Sequence, residues 1–308
     1  MIETSVPGDD EQMISDEPVK STDNATRVPA DMIAACWTSA GNVRPDASPA
    51  LSPIPITERI AAVASAGFAG MGIVAADLAA IEAGVGLRTL RAMLDDSPLK
   101  FVEIELLEKW WIPRGEDGNT FAVRDLLFRA SDVLGPTHIK IGSENAEPRD
   151  LAPYTEPLLE LTRQAAEHGT RIALEPMPFS IVSTIPAGAD LARSTGHPDC
   201  GIIVDAWHVF RAGTKLDELR DSLTSDVVFG IELDDADAEV VGTLLSDTMD
   251  NRRLCGDGTF DLTGLVGVLR DIGYTGTWGT EILSTEFRST ALDLALKRAI
   301  DTARAFVE

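Results

Sequence analysis

Eight short apolar runs, each followed by a longer amphipathic stretch, constrain this chain more than any other feature. They are residues 32–37 (MIAACW), 70–74 (GMGIV), 100–106 (KFVEIEL), 137–142 (THIKIG), 171–175 (RIALE), 201–205 (GIIVD), 227–233 (VVFGIEL) and 277–283 (TWGTEIL). Runs this short and this apolar read as strands buried on both faces, the pattern of a parallel sheet covered by helices. Helical patterns lie between them, at 56–67, 75–94, 122–134, 153–168, 186–195, 215–223, 262–272 and 290–307. In the first of these, Thr57 is placed to cap the N-terminus and Gly67 the C-terminus. Eight strands, each followed by a helix, in about 280 residues match one (β/α)8 barrel. A doubly wound open sheet shares the alternation but usually carries a glycine-rich phosphate turn after its first strand. The segment after the first run here, TSAGNVRPDASP, has no G-x-G-x-x-G. The expected fold is therefore α/β, a single TIM barrel over residues 30–308. Residues 1–29 are acidic, polar and poor in large apolar side chains, so they are expected to form a disordered tail.

Charge excludes several classes of partner. Fifty acidic residues against 26 Lys and Arg give a formal charge of −24 and a pI near 4.4. Such a surface repels phosphate backbones and anionic membranes, so neither nucleic acid nor a membrane is expected as a partner. No apolar run is long enough for a span and the N-terminus lacks the basic and apolar regions of a signal peptide, so the expected location is the cytoplasm. Cys36, Cys200 and Cys255 form no close pair and read as reduced thiols.

In such a barrel the chemistry sits at the C-terminal face, so polar residues ending a strand are the candidates. The fifth run ends in Glu175, the sixth in Asp205 with His208 three residues on, the seventh carries Glu232 before Asp234 and Asp235, and the eighth contains Glu281. Acids gathered at one rim repel one another unless a cation neutralises them or some hold protons. A divalent metal is the simplest remedy, and carboxylates with at most one imidazole suit Mn²⁺ or Mg²⁺, with Co²⁺ also compatible. The bland reading of any one of these acids is a helix N-cap. Period two in the fourth run points His138 and Lys140 the same way, into the barrel, where they either meet substrate or balance charge. Trp111, beside Trp110, either offers an aromatic wall to a sugar ring or packs in the core.

The segments LEPMPF around Glu175, IIVDAWHVFRAG around Asp205 and His208, FGIELDDAD around Glu232, RRLCGDGTFDL from Arg252, and YTGTWGTEIL around Glu281 make the chain identifiable. From residue 32 to 307 it resembles the sugar phosphate isomerase/epimerase superfamily of xylose isomerase-like barrels. That resemblance implies a metal held by Glu175, Asp205, Glu232 and Glu281, with His208 and Arg252 on substrate oxygens. It implies Glu175 and Glu281 as general base and acid, acting on a keto-sugar or polyol through an enediolate. Members of the family often carry His or Gln where Glu232 stands, and the added charge weighs against a sugar phosphate as substrate. The activity expected is isomerisation or epimerisation. The alternatives are a lyase, either an inosose-type dehydratase or an enzyme cleaving 3-keto-glycosides, and a non-catalytic barrel subunit. A homo-oligomer, dimer or tetramer, is expected for a barrel of this type.

Overall fold

A computed structural model of the chain describes residues 1–2, 30–143 and 147–308; the expected disorder of the tail falls on residues that lie almost wholly outside these. Among the described residues, eight parallel strands close into a barrel. They are β1 (Met32–Ala34), β2 (Gly70–Val74), β3 (Phe101–Leu107), β4 (Ile139–Ile141), β5 (Ile172–Leu174), β6 (Cys200–Asp205), β7 (Val228–Leu233) and β10 (Trp278–Thr280). Around the barrel they stand in the order β1-β10-β7-β6-β5-β4-β3-β2. Each lies within or overlaps one of the eight apolar runs. Two further strands, β8 (Asp235–Ala236) and β9 (Arg252–Arg253), form a short antiparallel ribbon after β7. The helices pack outside the barrel, and the apolar side chains between the two layers form one large core, with a small inner cluster of Ala173, Ile203 and Phe229.

Several helix boundaries differ from the sequence pattern, among them the start of the helix expected over 122–134, which begins at Gly118, and two differences have a clear local cause. The stretch expected as one helix over 75–94 is two, Ala75–Ala83 and Leu87–Asp95. Gly84 closes the first with a non-helical backbone, and Gly86 begins the second at φ 87°, a conformation that side chains other than glycine rarely adopt. Thr57 does not cap its helix, which runs Ile56–Ala66 with Pro55 at the N-cap and no side-chain cap bond. The fixed φ of proline sets the helix entry two positions earlier, leaving Thr57 inside the first turn. Gly67 does cap the C-terminus, at φ 96°. Its missing Cβ would meet nothing closer than 3.6 Å, so any cost of a side chain there is backbone strain alone. Gly67→Ala should therefore cost about 1–2 kcal/mol in urea unfolding, while Thr57→Ala should change stability by less than about 0.5 kcal/mol. Equal losses in the two variants would contradict this assignment of the caps.

Register aims the side chains at the mouth. Between β6 and β7 the pairing passes from Ile202↔Val228 to Ile203↔Gly230, so Phe229 is an extra residue and Asp205 comes to lie opposite Glu232. A one-residue insertion of this kind re-aims the residues beyond it, and here two acids are brought level on neighbouring strands. Outside the barrel mouth, buried Arg59 pairs with Asp77 and also donates to Ser39 Oγ at 3.0 Å. That ion pair ties the helix after β2 to the segment following β1.

Candidate metal centre

The polar floor of the barrel mouth is built from strand ends. Glu105 comes from β3, Lys140 from β4, Glu175 follows β5, Asp205 ends β6, Glu232 lies on β7 and Glu281 follows β10; each is at most 4% exposed. Thr38 holds the backbone on both sides of Glu281, donating to Thr280 O at 2.7 Å and accepting from Ile282 N at 3.1 Å. Asp205 serves two ends at once. Its Oδ1 accepts from His208 N at 2.9 Å and so caps the short helix Ala206–Arg211, while its Oδ2 faces Arg252 Nη1 at 2.7 Å. The N-cap and the site reading of this residue are thus both present in one side chain. The cap turns the chain so that His208 Nε2 lies 3.4 Å from Glu175 Oε1, while His208 Nδ1 has no hydrogen-bond partner.

Two cations are embedded among these acids. Lys140 Nζ lies 2.6 Å from Glu232, 3.1 Å from Glu105, 3.5 Å from Glu281 and 3.7 Å from Glu175. Arg252, from β9, contacts Asp205, Asp234 and Glu281, donates to Thr248 Oγ1, and has its guanidinium over the Trp207 ring at 5.7 Å. Burial opposes the charge on both, but the surrounding carboxylates outweigh it and hold each above its ordinary pKa. The acids respond unequally. Burial would raise Glu175, yet Lys140, the His208 hydrogen bond and Arg252 together bring it down to about 2. Burial dominates at Glu281 and lifts it to about 7 against the pull of Lys140 and Arg252. Glu232 is raised well above the usual range by burial and by Glu281, and Asp234 by burial and by Asp205.

A cavity of about 400 Å³, including its open mouth, stands over this floor and is lined by Glu105, Glu175, His208, Arg252 and Glu281 together with Trp37, Phe179 and Met249. Glu175, Asp205, Glu232 and Glu281 each offer an oxygen such that all four lie within 4.8 Å of one another, and Glu175, Asp205 and His208 form a second such group. Glu105 Oε1 and Glu232 Oε2 are buried and accept no hydrogen bond. Unpaired buried carboxyl oxygens are costly. With a hard, oxygen-rich donor set around them, the residues present fit a divalent cation.

Other candidates from the sequence lie elsewhere. His138 does point inward, but two residues below Lys140, where it is fully buried beside Glu103 at 3.9 Å and is not part of the cavity lining. Trp111 is also outside that lining, packed edge-on against Trp110 and Tyr154. Arg252 reaches the cavity, with its guanidinium already committed to carboxylates and to Thr248. Glu105 was not singled out by the sequence. Its signal was the alternation of Glu103 and Glu105 in β3, the same period-two pattern that marks His138 and Lys140. Cys36, Cys200 and Cys255 are free and buried, and no helix among the described residues is long and apolar enough to cross a membrane.

The layer below the site carries its own pH dependence. Burial, partly offset by Lys140, raises Glu103 to about 7, and burial with Lys140 and Arg171 lowers His138 to about 3. Near pH 6 the pair is therefore neutral. Between the ordinary carboxyl value of 4.5 and the folded value of about 7, the folded chain binds more protons than the unfolded chain. The stability contributed by Glu103 is then full below about 4.5 and is lost as pH rises through 7. Glu103→Gln should flatten this part of the stability curve and raise stability at pH 8 by roughly 3 kcal/mol. Urea unfolding at pH 5, 6.5 and 8 measures it, and a variant that keeps the wild-type slope would remove Glu103 as its source.

Barrel and site together define a class, and the chain belongs to the xylose isomerase-like TIM barrel family, whose model matches residues 60–306. Among curated relatives it is 27% identical to the inosose isomerase of Halalkalibacterium halodurans over 147 residues, 47% of this chain and 51% of that protein. It is 26% identical to the 3-dehydroshikimate dehydratase of Pseudomonas aeruginosa over 241 residues, 76% of this chain and 37% of that protein. The chain thus spans about half the length, or less, of these relatives. Among solved structures, the IolI protein with a bound zinc atom superposes with a TM-score of 0.77 at 18% identity, covering 90% of this chain and 98% of that one.

Proposed function

We propose that this protein is a divalent-metal-dependent isomerase or epimerase of an uncharged keto-polyol, working through an enediolate. The observation that carries the reading is the convergence of Glu175, Asp205, Glu232 and Glu281 under the cavity, with buried carboxylate oxygens beside them that accept no hydrogen bond. A bound divalent cation would polarise a substrate carbonyl and the neighbouring hydroxyl, making the carbon-bound hydrogen between them more acidic. Glu175, Asp205, Glu232 and Glu281 are the residues that would hold it, with His208 also in reach of Glu175 and Asp205. Glu175 and Glu281 stand three strands apart around the barrel, so a substrate between them presents a different side to each. Their carboxyl groups are held in contrasting protonation states by their surroundings, which suits one to accept a proton and the other to return it. His208 Nδ1, unpaired, is available to a substrate oxygen.

Charge selects the substrate class. Lys140 and Arg252, the two cations of the floor, are already engaged by carboxylates, so a phosphate or carboxylate on the substrate would find no free partner and several like charges. This favours a neutral ketone such as an inosose over a carboxylated one such as 3-dehydroshikimate. A lyase is the second reading, because the relative matched over 76% of this chain is a dehydratase. Both start with the same proton removal and differ in whether a β-leaving group departs.

The test is incubation in D₂O with Mn²⁺, Mg²⁺, Co²⁺ or Zn²⁺, offering inososes, ketoses and 3-keto-glycosides beside 3-dehydroshikimate and a ketose phosphate. Deuterium entering the carbon next to the carbonyl of a neutral ketone, seen by NMR, is the expected result. Loss of water or an aglycone would establish the lyase instead. No exchange with any neutral ketone under any metal would overturn the proposal.

A further inference from the structure

Lys140 stands where the carboxylates by themselves would place a cation. Four of them, from β3, β7 and the ends of β5 and β10, converge on its ammonium at 2.6–3.7 Å. Three of those four, Glu175, Glu232 and Glu281, also belong to the group whose oxygens lie within 4.8 Å of one another. The side chain is 1% exposed, so no solvent screens it from an ion bound above. Glu105 Oε1 and Glu232 Oε2 remain without a partner even with the ammonium in place, so the cluster holds more acceptor capacity than one lysine satisfies. A divalent ion drawing on the same oxygens would meet a fixed positive charge a few ångströms away, in surroundings where Coulomb interactions are strong.

We infer that Lys140 is a resident counter-ion that competes with the divalent cation. It holds the carboxylates together when no ion is bound and lowers the affinity of the ion when one arrives. The inference rests on the proposed metal site and adds that the site is preassembled and its ion readily exchanged. Lys140 is a positioning residue in this account, acting through Glu232 and its neighbours and touching no substrate.

The experiment compares the full-length protein with Lys140→Met, titrating each with Mn²⁺ alone and with Zn²⁺ alone by calorimetry, and melting each in EDTA and in excess Mn²⁺. The variant is expected to melt several degrees lower in EDTA, to bind Mn²⁺ tenfold or more tightly, and to gain more in melting temperature from the ion than the wild type does. A variant that folds only with Mn²⁺ present supports the same conclusion, because the ion has taken over the ammonium's place. A folded variant that binds Mn²⁺ no more tightly than the wild type overturns it. Should Lys140→Met fail to fold in both conditions, the double variant Lys140→Gln with Glu232→Gln decides, since it removes the charge and its nearest partner together. Affinity within about fivefold of the wild type then supports competition, and loss of Mn²⁺ binding overturns it. A wild type that binds neither ion refutes the metal site itself, a failure distinct from a wild type that binds while Lys140→Met shows no gain.

Discussion

Glu281→Gln is expected to lower metal-supported hydrogen exchange of a neutral ketone substrate by about 10²–10⁴-fold, the range for removal of a positioned acid or base. The amide keeps the shape of the side chain and one oxygen, but it has no ionisable proton to return to the substrate carbon. Its backbone is fixed from three sides, by Thr38 at Thr280 and Ile282 and by Arg252 Nη1 at the Glu281 carbonyl, 3.3 Å away. The substituted side chain should therefore stay in place, and the loss should fall on kcat more than on KM. Single-turnover exchange in D₂O, with circular dichroism to verify the fold, measures it. A variant retaining a third or more of wild-type exchange would transfer the proton step to another group, with Glu175 the first to examine.

How far the sequence reveals such a site depends on how local the signal is. Strands buried on both faces write themselves as apolar runs, so the eight barrel strands were legible and their order around the barrel followed from the family of folds. Glu175, Asp205 and Glu281 stood out because a charge ends an apolar run that has no local use for one. Glu105 did not, since it lies within the segment VEIELLE beside Glu103 and Glu108, where no single charge marks the end of an apolar run. Pairings across the barrel were invisible for a different reason. Lys140 meets Glu232 and Glu281 over 92 and 141 positions, and only closure of the barrel brings them together. Read along the chain, a metal is the simplest relief for repulsion among the acids, whereas the folded chain supplies two cations of its own. The break at Gly84 and Gly86 leaves no mark on the apolar periodicity, because a glycine within an amphipathic helix is tolerated and the left-handed backbone at Gly86 changes no apolar position.

The second internal cation carries the largest expected effect on stability. Arg252 is 2% exposed and its Nη1 faces Asp205, Asp234 and Glu281, the first two of which are fully buried or nearly so. Removing one member of a buried ion pair leaves an uncompensated charge and typically costs about 3–5 kcal/mol. Arg252→Met keeps a side chain of comparable stem length but removes the guanidinium that lies over Trp207, leaving Asp205 and Asp234 facing each other without it. In a metal-free buffer this variant should lose about 3–5 kcal/mol and melt roughly 10 °C lower. Part of the loss should return when Asp234→Asn is added, because one of the two acids that the arginine neutralised is then gone, and the coupling between the two substitutions can be measured as a double-mutant cycle. The alternative is that Arg252 serves only to contact substrate, and it makes a different forecast: Arg252→Met would then melt with the wild type, and Asp234→Asn would contribute the same increment whether or not the arginine is present. Thermal melts of the four proteins in EDTA separate the two, since a structural counter-ion requires the two substitutions to be coupled by at least about 1 kcal/mol.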